Sequence, residues 1–309
     1  MAYSKGWSRL WRSSSISRST SRSKELILSG IEFAKYEGLG NDFVLIDNRL
    51  DRTPLLTPKQ AIRVCDRNFG VGADGVIFVL PGQGDTDYTL RIYNSDGSEP
   101  EMCGNGIRCL ARFIAELEGA KALRQYRIHT LAGVISPELL PDGQVKVNMG
   151  PPFLEAAKIP TTLAASEDKV VDQALTVAGQ TWQVTGVSMG NPHCIIFVED
   201  IEAVDLATLG PQFEHHDAFP QRTNTEFIEV VAPNRLKMRV WERGAGATLA
   251  CGTGACAALV AGVLTGRCQS QATVELPGGS LDIAWAGGNE PVWMTGPARP
   301  VFRGCLHEL

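Results

Sequence analysis

Four short motifs occur twice in this 309-residue chain, in the same order. Asn41 and Asn191 lie 150 residues apart, and Cys103 and Cys251 lie 148 apart. Four ordered matches at nearly constant offset indicate a duplicated domain, so we expect two similar halves, residues 31–150 and 151–309. The repeated segments are Gly40-Asn41 and Gly190-Asn191, Met102–Gly106 and Ala250–Gly254, Thr130–Gly133 and Glu275–Gly278, and Met149–Pro151 and Thr295–Pro297.

Short apolar or alternating segments dominate each half and predict β-strands. Each half also has one helical pattern, from about Gly106 to Gly119 and from about Gly254 to Leu264. The second pattern is apolar on all sides, which predicts a buried helix. The sequence therefore predicts an α+β protein in which a curved sheet wraps around a central helix in each half. The predicted strands are 75–80, 88–93, 145–147, 227–231 and 236–241.

The first thirty residues differ in composition from the rest of the chain. They hold six Lys or Arg, one acid and ten serines, so they carry +5 and leave −10 for the remainder of a chain whose net charge is −5. The acidic body argues against a nucleic-acid partner. The segment has no continuous apolar region, which excludes a secretory signal. Two interpretations stay open: a flexible extension, through a disordered segment or a misassigned start, and an organelle transit peptide.

The apolar segments and the cysteines indicate the cellular environment of the protein. The most apolar stretch, Ala255–Leu264, is too short to cross a bilayer, so no membrane association is expected. Eight cysteines without a C-x-x-C pair or a secretion signal indicate reduced thiols in a reducing compartment. We therefore expect a cytoplasmic protein, or one of the plastid stroma if residues 1–30 act as a transit peptide.

One glycine-rich segment has the spacing of a dinucleotide-binding motif but not its structural context. Gly70–Gly75 matches G-x-G-x-x-G, but the apolar strand Val76–Leu80 follows it, whereas the phosphate-binding motif follows a strand and opens a helix. None of the nine lysines lies in a glycine-rich segment, so nothing marks a Schiff base. We expect no cofactor.

Cys103 and Cys251 occupy equivalent places in the repeat, each followed by Gly-x-Gly and a helical pattern. A cysteine there lies at a helix N terminus, where free backbone NH groups and the helix dipole favour an anion. This position is expected to lower the thiol pKa from about 8.5. The glycines let a carboxylate approach the same NH groups closely. Each loop can therefore hold a thiolate beside a bound anion.

The duplication predicts that the two thiols face each other across the cleft between the halves. Bases on opposite faces of one carbon suit removal of a proton from one face and its return to the other, which inverts the stereocentre. One thiol must be ionised and the other protonated, so a bell-shaped pH dependence is expected. A redox pair or a metal site is the alternative, although nothing in the sequence indicates a reductant surface. The other six cysteines are expected to pack in the core.

Five ordered segments together resemble the diaminopimelate epimerase family, over the chain from about residue 31 to the C terminus. The resemblance implies two pseudosymmetric domains, each a barrel-like, mostly antiparallel sheet around a central helix, with the last strand either in the second domain or returning to the first. It also implies a homodimer, no pyridoxal phosphate, no metal, and interconversion of LL- and meso-2,6-diaminopimelate in lysine biosynthesis. The segments are Glu37–Phe43, Asn94–Glu99, Glu101–Gly106, Gly190–His193, and Glu242–Gly244 followed by Cys251–Gly254.

The resemblance assigns Cys103 and Cys251 as the two bases. His193 either lines the site or is a hydrogen-bonded structural histidine. Ala73–Gly75 departs from the Phe-Asp-Gln of many family members, so the contact made by that glutamine is missing or replaced here. The other implied residues are those around the substrate, Asn41, Asn94, Asn191, Asn224, Glu242 and Arg243, and those at the reacting carboxylate, Gly104, Asn105, Gly252 and Thr253.

Two rival functions stay open at this point. A proline-racemase-like enzyme also uses paired cysteines, but Asn105 and the pair Glu242 and Arg243 argue against it. A noncatalytic small-ligand or redox-sensing protein with paired thiols belongs to a different class. Exchange of the α-hydrogen of diaminopimelate with solvent distinguishes these possibilities from the epimerase.

Overall fold

The computed structural model describes residues 30–120, 124–165 and 167–307. Residues 1–29, on which the interpretation of the N-terminal segment depends, lie outside this part. No helix within it is long and apolar enough to span a bilayer. The helices are α1 (Pro58–Cys65), α2 (Gly104–Glu118), α3 (Leu206–Glu214) and α4 (Gly252–Leu264), with a 3₁₀ turn at Ala156–Lys158.

The strands of the first half, in chain order, are β1 (Ile31–Gly38), β2 (Asn41–Asp47), β3 (Gly75–Pro81), β4 (Tyr88–Asn94), β5 (Arg124–Gln125), β6 (Ile128–Thr130), β7 (Gly133–Ile135), β8 (Glu138–Leu139) and β9 (Val145–Asn148). Those of the second half are β10 (Gln173–Val177), β11 (Gln180–Ser188), β12 (Pro192–Val198), β13 (Asn224–Ala232), β14 (Arg235–Glu242), β15 (Gly246–Thr248), β16 (Gln271–Leu276), β17 (Gly279–Ala284), β18 (Trp293–Gly296) and β19 (Arg299–Leu306).

The strand order repeats the duplication seen in the sequence. One sheet runs β19-β1-β2-β3-β4-β6-β7, and the other contains β10-β11-β12-β13-β14-β16-β17 in the corresponding order. In both, the third and fourth strands of this order are parallel (β2 with β3, β12 with β13), and the fourth and fifth are antiparallel (β3 with β4, β13 with β14). The predicted α+β class with two pseudosymmetric domains is therefore confirmed. Among the described strands neither path closes into a ring.

Strands near the ends of the two halves cross between the sheets. β19, from the end of the chain, pairs antiparallel with β1 at the edge of the first sheet. In the other direction, β9 pairs with β18, and β8 and β5 extend the second sheet beyond it. Each half of the chain thus contributes strands to the sheet of the other half.

Each sheet is covered by helices on both faces. Alternate residues of β2 face opposite sides, so Phe43 and Leu45 join the core around α2, whereas Val44 and Ile46 pack with α1. This explains why the sequence shows continuous apolar runs there rather than alternation. The core around α2 also contains α4, so one apolar cluster holds both central helices. A third cluster, which includes Phe213 of α3, covers the outer face of the second sheet.

The two central helices follow the sequence prediction, with starts two residues earlier than expected. α2 ends at Gly119, whose φ of 68° is the left-handed conformation that glycine adopts readily at a helix C terminus. α4 is buried on all sides, as its uniform apolarity predicts. Ala and Gly dominate it, which allows neighbouring strands to approach closely. The shorter helices α1 and α3 were not predicted.

Candidate active site

Both predicted bases are helix N-caps. The sulfur of Cys103 accepts a hydrogen bond from the backbone NH of Gly106 at 3.4 Å, and that of Cys251 accepts one from Gly254 at 3.3 Å. A thiol therefore takes the place that a serine or aspartate oxygen usually occupies at a helix start. Cys103 is half-buried, and Cys251 is 5% exposed.

The N termini of α2 and α4 lie side by side. A Cβ built on Gly104 would lie 3.3 Å from Cε of Met294, and one built on Gly252 would lie 3.1 Å from Sδ of the same side chain. The Gly252 position is also 3.8 Å from Oδ1 of Asn105. Both helix starts thus contact one methionine, and the absence of side chains at the two glycines permits this approach.

The sheet topology explains why the polar residues of each half meet at these helix starts. Asn41 begins β2, and Asn94, at the end of β4, lies opposite Gly75 at the start of β3. The second half repeats this arrangement, with Asn191 just before β12, Asn224 at the start of β13, and Glu242 at the end of β14. One end of each sheet therefore carries the corresponding set of side chains beside its cysteine.

A hydrogen-bond network surrounds Cys103. Its thiol donates to Oδ1 of Asn41 at 3.8 Å, and Nδ2 of Asn105 donates to the same oxygen at 3.2 Å. Nδ2 of Asn41 in turn donates to Asp74 at 2.6 Å. Asn94 lies at the same end of the sheet, where its amide donates to Oγ of Ser98. Asp74 belongs to the segment that departs from the family pattern, and its contact with Asn41 was not predicted from the sequence.

Gly75 in that segment has a steric role. A Cβ at this position would lie 2.9 Å from the carbonyl oxygen of Tyr93, so a larger residue requires the paired backbone to shift. Asp74, beside it, accepts hydrogen bonds from Asn41 and from the backbone of Asp42 and forms an ion pair with Arg67. The polar contacts of the segment therefore come from the aspartate.

Cys251 has a different set of neighbours, centred on a buried imidazole. Nδ1 of His193 lies 2.7 Å from Oε1 of Glu226, and both side chains are fully buried. Nε2 of His193 lies 3.0 Å from Oδ1 of Asn191, whose Nδ2 donates to Thr253 at 3.3 Å. His193 is therefore hydrogen-bonded on both nitrogens and lies within the site, so the two roles considered for it coexist.

Glu242 links the two cysteines electrostatically. Thr248 donates a hydrogen bond to its carboxylate, burial raises the pKa of Glu242, and its ionised form raises the pKa of both thiols. The next residue, Arg243, is exposed, and its backbone NH donates to Oδ1 of Asn224 at 2.9 Å. Asn224 also donates to the carbonyl of Pro192, so its amide fixes two loops of the site.

The expected lowering of the thiol pKa is wrong in its net direction. Burial raises the pKa of Cys103, and the weaker opposing effects are hydrogen bonds from the backbone of Gly106 and Asn105 and the charge of Arg108. Burial raises the pKa of Cys251 well above its usual range, and the charges of Glu242 and Glu226 raise it further. The helix N termini act as expected, but desolvation is larger.

One group of side chains in the described part of the chain has the donor types and spacing of a metal site. Single ligand atoms of His193, Glu226 and Cys251 lie within 4.8 Å of one another. Both imidazole nitrogens already have hydrogen-bond partners, Glu226 and Asn191. We therefore interpret the group as a hydrogen-bonded pair beside a thiol.

Glu226, Arg108 and Met294 are site residues that the sequence analysis missed. Glu226 interrupts the apolar strand β13 at a position that faces α4, and an acid within such a strand is a signal for a buried polar role. Arg108, fully buried in α2, interrupts the apolar face of that helix in the same way. Met294 gives no such signal, because a methionine in an apolar strand is ordinary.

The fold is similar to that of solved structures of epimerases. A predicted epimerase from Pseudomonas aeruginosa superimposes with a TM-score of 0.63 at 16% identity, covering 90% of this chain and 100% of that one. A hydroxyproline epimerase from Agrobacterium vitis gives a TM-score of 0.63 at 14% identity, covering 89% and 92%. At these identities the likeness concerns the fold.

Sequence comparison specifies the family within this class. A family model described as diaminopimelate epimerase matches residues 33–154 and 185–301. A diaminopimelate epimerase of Acaryochloris marina is 71% identical over 277 residues, covering 89% of this chain and 98% of that protein. Diaminopimelate epimerase 1 of a Nostoc species is 68% identical, covering 89% and 99%. The chain belongs to the diaminopimelate epimerase family.

Proposed function

We propose that this protein interconverts LL- and meso-2,6-diaminopimelate, a step of lysine biosynthesis, with Cys103 and Cys251 as the two bases. The observation that carries the proposal is the pair of cysteine N-caps on neighbouring, pseudo-equivalent helix starts, in a chain of this family. Its relatives at 68% to 71% identity bear the name of this enzyme.

The reaction needs no change in the total charge of the site. One cysteine, as thiolate, takes the α-proton and becomes a thiol, while the electron pair stays on carbon and spreads into the carboxylate. The other cysteine, as thiol, gives its proton to the opposite face and becomes a thiolate. The stereocentre is inverted, and the roles of the cysteines exchange when the reaction runs backwards.

The helix starts can stabilise the charge that develops on the substrate carboxylate. The first NH groups of an α-helix have no partner within the helix, and the dipole places partial positive charge there. We assign the amides of Gly104, Asn105, Gly252 and Thr253 to this carboxylate, in the manner of an oxyanion hole. The burial that raises the thiol pKa values also strengthens these contacts.

The distal end of diaminopimelate is itself an amino acid with both charges. Neutral amides and an acid–base pair can recognise it, so we assign this role to residues at the sheet ends that surround the cysteines. The residues are Asn41, Asn94, Asn191, Asn224, Glu242 and Arg243. His193 lies among them and connects Asn191 with the buried Glu226.

We propose that residues 31–150 and 151–309 act as the two lobes, with β19 completing the sheet of the first. We also propose a cytoplasmic homodimer. Val301 and Phe302 on the edge strand β19 are 55% and 46% exposed, and apolar groups on an edge strand favour pairing with a second copy. Light scattering after size-exclusion chromatography should give twice the mass of the 33.4 kDa chain.

The activity is tested with LL-diaminopimelate in deuterated water. Early in the reaction we expect meso product with one deuterium, at the inverted α-carbon. L-Proline and hydroxyproline serve as control substrates and should show no exchange. Retention of both α-hydrogens in diaminopimelate, with the protein folded and its thiols reduced, contradicts the proposal and favours a noncatalytic thiol protein.

A further inference from the structure

Arg108 is a fully buried cation whose hydrogen-bond partners are all neutral. Its guanidinium donates to the carbonyls of Gly104 at 3.1 Å and Pro297 at 3.3 Å, to Oδ1 of Asn105 at 2.9 Å, and to Sδ of Met294 at 3.6 Å. Among the described residues no carboxylate lies within ion-pair distance of it. A buried charge without a counter-charge is costly, so its retention calls for an anion that forms nearby.

A chain of amides connects this cation to the thiol of Cys103. Arg108 holds Oδ1 of Asn105, so Nδ2 of Asn105 points the other way and donates to Oδ1 of Asn41. The same Asn41 oxygen faces the sulfur of Cys103, and Nδ2 of Asn41 donates to Asp74. Each amide has one orientation that satisfies its neighbours, and the guanidinium, which can only donate, sets that orientation. Because the Asn41 oxygen accepts from the sulfur, this chain holds a protonated Cys103, and Arg108 favours ionisation of Cys103 through its charge alone.

Within the described ranges, no cation acts on Cys251 in this way. Arg108 lies five residues after Cys103, and the residue five after Cys251 is Cys256, a buried neutral thiol. Acids take the place of neutral groups in the rest of the second site. Glu226 faces Gly254 in the way that Ile77 faces Gly106, at 2.6 Å and 3.0 Å from the respective Cβ positions.

The acid at the sheet end follows the same pattern. Glu242 at the end of β14 corresponds to Asn94 at the end of β4, because β14 pairs with β13 in the same register as β4 pairs with β3. The charged and titratable groups around Cys251 are therefore Glu226, Glu242 and His193. Around Cys103 they are Arg108, Cys109 and, from the other half, Glu242. Around Arg108 they are also Cys256 and Glu37.

We propose that the buried charge of Arg108 makes Cys103 the thiol that ionises first, with Cys251 as the partner that stays protonated. The inference rests on the proposed two-base function and specifies how the single negative charge is distributed before substrate binds. Burial raises the pKa of both thiols. The charges of Glu242 and Glu226 raise that of Cys251 further, whereas for Cys103 the charge of Arg108 opposes the increase that burial and Glu242 cause. The diastereomer whose α-hydrogen faces Cys103 then binds the prevalent form.

The test measures the pH dependence of alkylation at each cysteine. The full-length protein, without substrate, is treated with iodoacetamide across the pH range, and the modified peptides are quantified by mass spectrometry. The midpoint of reactivity, rather than its rate, reports ionisation and is insensitive to access. We expect Cys103 to have a lower midpoint than Cys251. Equal midpoints, or a lower midpoint for Cys251, would overturn the proposal without any variant.

Variants then assign the effect to the guanidinium. Arg108→Gln should raise the Cys103 midpoint by about one pH unit or more, because a nearby opposite charge typically shifts a pKa by about 1 to 3 units. Arg108→Lys keeps the charge and should stay closer to the unmodified protein. Cys256→Ala changes the equivalent position of α4 and should leave the Cys103 midpoint unchanged. An unchanged midpoint in folded Arg108→Gln contradicts the proposal.

Epimerase kinetics separate this proposal from the function on which it rests. In Arg108→Gln, the acid limb of kcat/KM should move to higher pH with the Cys103 midpoint, so activity recovers in part on the alkaline side. A merely structural role would lower activity equally at all pH values. If the protein does not turn over diaminopimelate but the alkylation midpoints differ as expected, the proposed function fails and the assignment of the thiolate stands.

Discussion

The contact between the two halves includes a position that only glycine fits. Gly278 lies between β16 and β17 and donates a hydrogen bond to the carbonyl of Leu249 at 2.9 Å. A Cβ at this position would lie 2.0 Å from the carbonyl oxygen of Leu39 and 3.1 Å from that of Leu249. Leu39 and Gly40 form the turn that precedes Asn41, so a loop of the second half presses directly on the site of the first.

The size of the disturbance follows from these distances. Ordinary contact begins at 3.4 Å, so Gly278→Ala must move the Leu39 backbone by about 1.4 Å, the difference between 3.4 and 2.0 Å. The turn has little freedom to yield, because Leu39 and Gly40 already have positive φ angles of 59° and 83°. Overpacking of this kind costs about 1 to 3 kcal/mol. A displacement of about 1 Å at a catalytic site costs about a hundredfold in rate.

We therefore expect Gly278→Ala to lose about 2 kcal/mol of unfolding free energy and about a hundredfold in kcat/KM. Urea unfolding and initial rates of LL-to-meso conversion measure the two effects. Ser280→Ala, in the strand that follows the same turn, is exposed and should behave as the unmodified protein. A folded Gly278→Ala protein with kcat/KM within about threefold of the control would refute the view that this contact sets the geometry of the site.

Cys103→Ala and Cys251→Ala should each lower turnover by about a thousandfold or more, while Cys268→Ala, near the other end of α4, keeps it; full activity in either of the first two refutes the two-base scheme. A mild oxidant should silence the enzyme by joining Cys103 and Cys251, and reductant should restore it; silenced protein without that disulfide in its peptide map contradicts their proximity. Burial raises the pKa of Cys256 to about 12. Its contribution to stability is therefore fully present below about pH 8.5, where the thiol is protonated in both the folded and the unfolded chain, and is lost as the pH rises towards 12. The free energy of unfolding, measured in urea between pH 9 and 11, should fall with pH by about 1.4 kcal/mol per pH unit less in Cys256→Ala than in the unmodified protein. An equal fall in the two proteins argues against an unusual thiol at this position. Burial alone would raise the pKa of Asp42, but hydrogen bonds from Arg67 and Lys35 lower it overall, so its stabilisation is present above about pH 4 and is lost as pH falls through the folded pKa. Asp42→Asn should therefore be destabilised in urea at pH 7 and much less so at pH 3; an equal deficit at both would show a packing effect.

The duplication made the fold largely predictable. Equivalent motifs indicated two similar halves, and the apolar patterns gave the central helices and five strands because their periods are distinct. The helix starts were placed two residues late, since a cysteine is an uncommon N-cap and glycines at the first turn weaken the helical signal. The crossing of β9 was beyond reach, because strand partners depend on contacts distant in sequence. The return of β19 to the first sheet was expected only as one of two alternatives implied by the family resemblance.

The pKa values of the two thiols are a property that the sequence alone does not predict. A helix N terminus can be recognised from Cys-Gly-x-Gly, and its effect on the thiol has the predicted sign. The depth of burial cannot be read in the same way, because it depends on Met294 and on the strands around both helices. Desolvation then outweighs the dipole and raises both pKa values. The prediction was right about the effect of the helix N terminus and wrong about the net direction of the pKa shift.

The differences between the halves can be explained by the requirements of the proposed reaction. A reaction that inverts one carbon needs two similar backbone frames, so that a base can be held on each face at the same distance. It also needs unequal protonation, because two thiolates cannot donate a proton and two thiols cannot accept one. A duplicated domain supplies the first requirement, and substitutions within it supply the second, by placing a cation behind one sulfur and acids around the other. The differences near the thiols include Phe43 and His193, Ile77 and Glu226, Asn94 and Glu242, and Arg108 and Cys256. The repeat that reveals the fold therefore also shows, through its departures from symmetry, how the proton is assigned to one side.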